Sequence, residues 1–278
     1  MTHVSGRLAD VPVETPTLGG AAHGLTRRRI VGREGGSVHQ DVVVAELEPG
    51  GVIGIHLHAY EQALYVLGGE LEMTAAGTVE PLVADDHVFI ERGVAHGYRN
   101  VSGSTARWFE VSAPQPGGAL QDTVVVTGEP PVIEVEHPYR KGHFDVESLP
   151  APSATIGLAG FGNANVGGAA LEILVGPATG SSQLNLMVVQ YAPGGFITEH
   201  DHAFEEAFFF LTGEIEALLD GETKILGAGD YCWSAVGSMH ALTNRSDQPV
   251  RWLETQTPQP PSRHQARFVA DWQRLTSS

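Results

Sequence analysis

The chain repeats itself. His56 and His200 stand 144 positions apart, and the same offset joins Gly50 to Gly194, Gln62 to Glu206, His96 to His240 and Asn100 to Asn244. It also joins Arg107-Trp108-Phe109-Glu110 to Arg251-Trp252-Leu253-Glu254, and Pro114-Gln115-Pro116 to Pro258-Gln259-Pro260. A register held without gaps from about Gly50 to Pro116 marks an internal duplication. The 278 residues therefore divide into two modest domains of one kind.

Both copies read as all-β. Hydrophobic residues make up 42% and charged residues 18%, which suits a packed core and not a disordered chain. The 34 glycines and 17 prolines supply the many turns that short strands need. Gln40–Leu47 alternates and is rich in β-branched residues, so it reads as a strand, with a turn at Glu48-Pro49-Gly50-Gly51. Ala63–Met73, Leu184–Tyr191 and Glu206–Leu219 read as further strands. Residues 1–23, polar and with Pro12 and Pro16, read as an arm, 24–130 as the first domain and 154–278 as the second. Between them, 131–153 is a charged, proline-punctuated linker whose His137 and His143 read as surface histidines. From Ser262, a plausible N-cap, Phe268, Val269, Trp272 and Leu275 form one stripe of a short C-terminal helix.

A net charge of −17 speaks against nucleic acid or anionic membrane as a partner. No apolar run approaches the roughly 20 residues that span a bilayer. Met1–Thr15 lacks a basic start followed by an apolar core, so a cytoplasmic protein is the simplest expectation. The single cysteine, Cys232, excludes an intrachain disulfide and reads as a small buried residue.

Chemistry concentrates in the stretch Gly194–Glu206. A strand places residues i and i+2 on one face, so His200 and His202 point the same way. Glu206 follows four residues on, and His240 offers a third imidazole about one hairpin later. Three neutral imidazoles and a carboxylate suit a divalent transition metal: Fe, Mn, Ni, Cu, Co or Zn. In the first copy His56, His58 and His96 recur, but Gln62 brings only a neutral carbonyl oxygen, a weaker ligand for a dication. The adjacent Glu61 faces away on an extended strand. This second metal site therefore holds metal weakly, takes water as fourth ligand, or is vestigial. Phe196, Thr198, Phe208 and Phe210 share strand parity with the ligands; they either line a substrate pocket or fill the core.

These motifs resemble the cupin family. Its first motif, G-x5-H-x-H-x3,4-E-x6-G, is matched by Gly194, His200, His202, Glu206 and Gly213. Its second, G-x5-P-x-G-x2-H-x3-N, is matched by Gly229, Gly237, His240 and Asn244, with Ala235 in place of proline. In the first copy Asp85 replaces the leading glycine of that second motif and Glu91 its proline. The resemblance implies a bicupin: two tandem jelly-roll-type barrels, with His200, His202, Glu206 and His240 as metal ligands in the second. It further implies a metal-dependent enzyme acting on a small organic molecule. An Fe(II) dioxygenase is the first expectation, with Glu206 able to leave the metal and act as the catalytic base. The alternative is a non-redox Mn- or Zn-dependent isomerase, lyase or hydrolase. Ureidoglycine aminohydrolases are bicupins of similar length, though their ligand arrangement differs from this one. A third reading is a sugar- or effector-binding protein without turnover; the lack of a DNA-binding segment argues against a transcriptional sensor. A small-molecule substrate is the expected partner, and a homo-oligomer is compatible with all three readings.

Overall fold

The computed structural model describes residues 3–117, 123–129, 138–152, 165–263 and 265–269, nearly all of them in strands and tight turns. The strands form two curled sheets, one for each sequence copy. The first runs in the order Tyr139–His143, Asp86–Ile90, Glu61–Gly68, Ala106–Ala113, Asp41–His58, His96–Arg99, Leu71–Ala75, Thr78–Leu82. The second runs His3–Arg7, Asp230–Ser234, Glu205–Thr212, Val250–Thr257, Asn185–Asp201, His240–Thr243, Glu214–Leu219, Glu222–Gly227. The orders correspond strand for strand, and the pairings are antiparallel. The duplication read from the offset is thus a duplication of fold.

Each sheet turns a corner within one long strand. In Asp41–His58 the first part, up to Leu47, pairs with Ala106–Ala113, whereas Val52, Ile53 and His56 pair with His96–Arg99. The bend falls at Gly50, whose φ of 74° is a region that costs other residues. The expected turn at 48–51 is therefore a corner inside a continuous strand, and Gly194 (φ 76°) repeats it. The expected single strands 63–73 and 206–219 each break, at Gly69 and Gly213. A Cβ at either glycine would lie 2.6 Å from backbone of the neighbouring chain segment (Ala106 Cα and Pro249 O).

The chain forms two compact units, each drawing on more than one segment. One compact unit takes its described residues from Met1–Asp10, Val146–Ile173 and Asn185–Ser278, the other from Val11–Asp145 and Leu174–Leu184. The reason is edge coverage, since an edge strand carries unpaired backbone groups. His3–Arg7, expected as arm, pairs along Asp230–Ser234. Tyr139–His143, expected as linker, does the same for Asp86–Ile90. His143 is exposed and hydrogen-bonds Asp86 at 2.8 Å; His137 lies outside the described residues. At the C-terminus Arg267–Phe268 is a short strand against His200 and Asp201, so Phe268 is not on a helical stripe. Residues 270–278, with most of the expected helix, lie outside the described residues. No helix among the described residues is long and apolar enough to cross a membrane.

Each barrel is filled by its own apolar cluster. Trp108, Leu64 and Met73 centre the first, and Trp252, Phe210 and Ile215 the second. Cys232 belongs to the second cluster, and burial pushes its thiol well above the ordinary range, as befits a packing residue.

Candidate metal centres

In the second barrel the corner strand carries His200 to a position directly opposite His240, while His202 follows just past the strand end. Glu206 comes from the next strand, Glu205–Thr212. One ligand atom from each of the four lies within 4.8 Å of the others, and all four residues are buried. Glu206 Oε2 is 3.2 Å from His202 Nε2 and 3.0 Å from His240 Nε2. The Nδ1 atoms of His200, His202 and His240 meet the backbone carbonyls of Thr198 (2.7 Å), Gln265 (2.5 Å) and Ser238 (3.1 Å). A carbonyl only accepts, so each Nδ1 holds the proton and each Nε2 turns its lone pair inward. That is the donor set a divalent metal needs.

The electrostatics agree. Burial works to raise the Glu206 carboxyl, but His202 and His240 outweigh it and hold Glu206 well below the usual carboxylate range. Burial, with His240 and His202 beside it, keeps His200 well below 6.5 and neutral. Burial also opposes charge on His202, yet Glu206 draws its value upward, so a metal competes with a proton for that Nε2.

The first barrel repeats the histidines. The ring nitrogens of His56, His58 and His96 cluster within the same 4.8 Å limit. Their Nδ1 atoms face the carbonyls of Gly54 (2.9 Å), Tyr60 (2.8 Å) and Val94 (2.9 Å). His58 Nε2 and His96 Nε2 are buried without a hydrogen-bond partner, the state that a metal would relieve. Gln62 stands at Glu206's place, and its Oε1 accepts from Tyr98 Oη at 3.3 Å. Glu61 does turn away: it is fully buried and accepts from the Ser181 and Ser182 hydroxyls, both at 2.7 Å. Asp85 holds the left-handed conformation (φ 69°) that Gly229 holds in the second copy (φ 85°), so the glycine of the motif marks a backbone shape. Asn100 and Asn244 are structural, each binding loop carbonyls through its amide.

The second cluster opens into a cavity of about 160 Å³. Phe208 lines it, but Phe196, Thr198 and Phe210 do not. The pairing register slips between Ile197 and His200, a bulge that reverses parity, so Ile197 faces the cavity. Thr198 instead hydrogen-bonds Asn165. Phe210 sits deeper and fills the core beside Trp252, 5.9 Å between ring centroids.

Glu254 and Gln256 are among the cavity residues that escaped the sequence reading. Gln256 Nε2 donates to Glu206 Oε1 (3.0 Å) and Glu254 Oε1 (3.2 Å), and Trp252 Nε1 donates to Glu254 Oε2 (3.0 Å). Burial and the Glu206 charge push the Glu254 carboxyl up to about 8, so it carries a proton at neutral pH. The signal was present: on a strand, Trp252, Glu254 and Gln256 share one face, and Trp252 is a core residue.

Fold and sites together define a duplicated β-barrel protein with two buried clusters suited to a divalent metal. The cupin domain model matches residues 43–112 and 187–255, half of the chain, and the chain belongs to the cupin family, as a bicupin. Polyketide synthase CurC of Streptomyces cyaneus is 38% identical over 84 residues, 29% of this chain and 54% of that protein. The tetracenomycin polyketide synthase protein TcmJ of Streptomyces glaucescens is 28% identical over 86 residues, 31% of this chain and 58% of that protein. The matches thus span little more than half of either relative. Among solved structures, the formate complex of Lactobacillus farciminis oxalate decarboxylase superposes with a TM-score of 0.67 at 17% identity, over 99% of this chain and 90% of that one. Bacillus subtilis oxalate decarboxylase at pH 4.6 gives 0.65 at 15% identity, over 91% and 76%. At such identity these two likenesses establish the fold alone.

Proposed function

We propose that the second barrel is the catalytic centre of a metal-dependent enzyme acting on a small, largely apolar organic molecule. The observation that carries this reading is the four-ligand cluster at the end of a cavity walled by Leu171, Met187, Phe208 and Leu242, with Glu206, Glu254 and Gln256 among its few polar groups. Such a wall selects planar or apolar substrates and excludes water. His200, His202, His240 and Glu206 would hold the metal, which supplies a Lewis acid or redox centre when bound. Gln256 keeps Glu206 Oε1 in place while Oε2 faces the histidines. Protonated Glu254 can give a proton to substrate, and Glu206 can take one. The polyketide-synthesis names of the two Streptomyces relatives support an enol- or phenol-bearing substrate.

The three-His, one-Glu set favours a dioxygenase using Fe(II). The Glu206–Gln256–Glu254 chain, a base linked to an acid, favours the non-redox alternative, a Mn- or Zn-dependent lyase or isomerase. An oxygen electrode decides between them, with iron- or manganese-loaded protein and a panel of diketones, flavonols and phenolic acids. Oxygen consumed in step with product establishes the dioxygenase. An equal rate under strict anaerobiosis rules it out and promotes the lyase or isomerase.

A further inference from the structure

Of the six clustered imidazoles, five are held from close by in sequence. The Nδ1–H groups of His56, His58, His96, His200 and His240 each donate to a backbone carbonyl two residues away. His202 is the exception: its acceptor is Gln265 O, 63 positions further on. The scaffold is otherwise common, since Phe204 stacks on His202 (ring centroids 4.5 Å) as Tyr60 stacks on His58 (4.0 Å). Tyr60 O serves His58, whereas Phe204, its counterpart at the 144-residue offset, leaves that task to the C-terminal segment.

A short piece of strand brings Gln265 there. Among the described residues it is joined to the ligand strand by two register pairs, His200 with Phe268 and Asp201 with Arg267. Backbone pairing of that length is too short to hold a chain segment by itself. Side chains supply the rest. Arg267 donates from Nε to Asp201 Oδ1 (2.9 Å) and from Nη2 to Asp201 Oδ2 (2.6 Å), a two-pronged grip on a buried carboxylate. Phe268 is buried and lies against the His200 ring, 5.3 Å between centroids. In the first copy Leu57 and Thr123 stand at the places of Asp201 and Arg267. Thr123–Val125 also runs beside His56–His58, but in a different register, with Thr123 opposite His58. The ion pair and the remote carbonyl thus occur together in one barrel and are replaced together in the other.

We infer that Arg267 is a positioning residue for the second metal centre: its pair with Asp201 holds the C-terminal segment so that Gln265 O keeps the His202 imidazole ready to ligate. The acceptor on Nδ1 fixes both the tautomer and the ring plane, and so aims Nε2 at the metal. A dication on Nε2 draws charge from the ring and makes Nδ1–H the stronger donor, so metal and segment hold each other. Arg267 acts only through Gln265, which also lines the cavity. The histidines of the first barrel need no such segment, because each finds its carbonyl within two residues. The inference rests on the second cluster holding a metal and is independent of the reaction type.

The test uses the full chain with His56→Ala and His58→Ala, which disable the first centre, loaded with cobalt(II). The readouts are the visible absorption of the bound cobalt and its affinity, measured by competition with a chelator. Arg267→Ala is expected to change the spectrum, because the His202 ring is no longer held in one orientation. It should also weaken cobalt binding at least about tenfold, the lower end of what losing the partner of a ligating histidine costs. Arg267→Lys keeps the charge without the planar pair of donors. It should fall between wild type and alanine, and it serves alone if the alanine variant does not fold. A role confined to stability would lower the unfolding temperature and leave the cobalt spectrum as it is. No cobalt uptake by the second centre of the parent chain overturns the metal reading and the inference with it. Cobalt bound with unchanged spectrum and affinity in a folded Arg267 variant overturns the inference alone.

Discussion

Glu254→Gln should change how stability depends on pH. The Glu254 carboxyl is buried, and burial together with the Glu206 charge raises it from its ordinary 4.5 to about 8. The sign follows from proton counting. Between these two values the folded chain binds a proton that the unfolded chain has lost, so stability is complete below about pH 4.5 and declines as pH rises toward 8. A tenfold change in proton affinity is worth roughly 1.4 kcal/mol. The span from 4.5 to about 8 therefore gives about 5 kcal/mol as an upper bound on what this group withdraws. Glutamine keeps the shape and its single carbonyl oxygen can still accept from one of the two donors, Gln256 Nε2 or Trp252 Nε1, and it does not titrate; the lost acceptor lowers stability by an amount that does not vary with pH. Urea unfolding of metal-stripped wild type and Glu254→Gln at a series of pH values from 5 to 9 measures the difference. The variant's advantage should grow with pH across that range. Curves that stay parallel would mean that Glu254 is ionised in the folded protein throughout, and the proton-donor role would go with it.

Gln62→Glu should raise the metal retained per chain after mild chelation, because it restores an anionic ligand next to His58 and His96; an unchanged ratio would mean that Gln62 does not face the site. Gly213→Ala should destabilise by more than the roughly 1–2 kcal/mol that a left-handed alanine costs, because its Cβ would also lie 2.6 Å from Pro249 O; Gly221→Ala, with φ 85° and open space around it, should cost the strain alone, as thermal unfolding of both would show. Metal affinity in the second barrel should begin to fall above pH 6.5 as pH is lowered, because Glu206 raises His202, whereas the first barrel, whose three histidines are all lowered, should hold its affinity to lower pH. Metal titrations of His56→Ala and His200→Ala across pH separate the two.

Much of the molecule was legible because its information is periodic. The 144-residue offset predicts two like domains, the resemblance to cupins makes them barrels, and the H-x-H spacing predicts which imidazoles meet, since strand alternation is a local property. What escaped depends on partners remote in sequence. The bulge between Ile197 and His200 arises from pairing with His240–Thr243, and it moved Phe196 and Thr198 off the cavity wall. Gly69 and Gly213 break their strands because a neighbouring backbone passes too close for a Cβ, a contact that local sequence does not record. His3–Arg7 and Tyr139–His143 have no hydrophobic alternation to announce a strand; an edge elsewhere in the chain recruits them. Glu254 stood out in the sequence only as a member of the repeated Arg251-Trp252-Leu253-Glu254 segment, and the cavity shows that it lies beside Glu206 and Gln256.

The central claim is that the second barrel is the tighter metal centre and the seat of turnover. Metal content and product formation measured together on wild type, His56→Ala and His200→Ala test it directly. The account predicts that His200→Ala loses the more tightly held metal and all activity, while His56→Ala keeps both. Activity abolished by His56→Ala and spared by His200→Ala would contradict it.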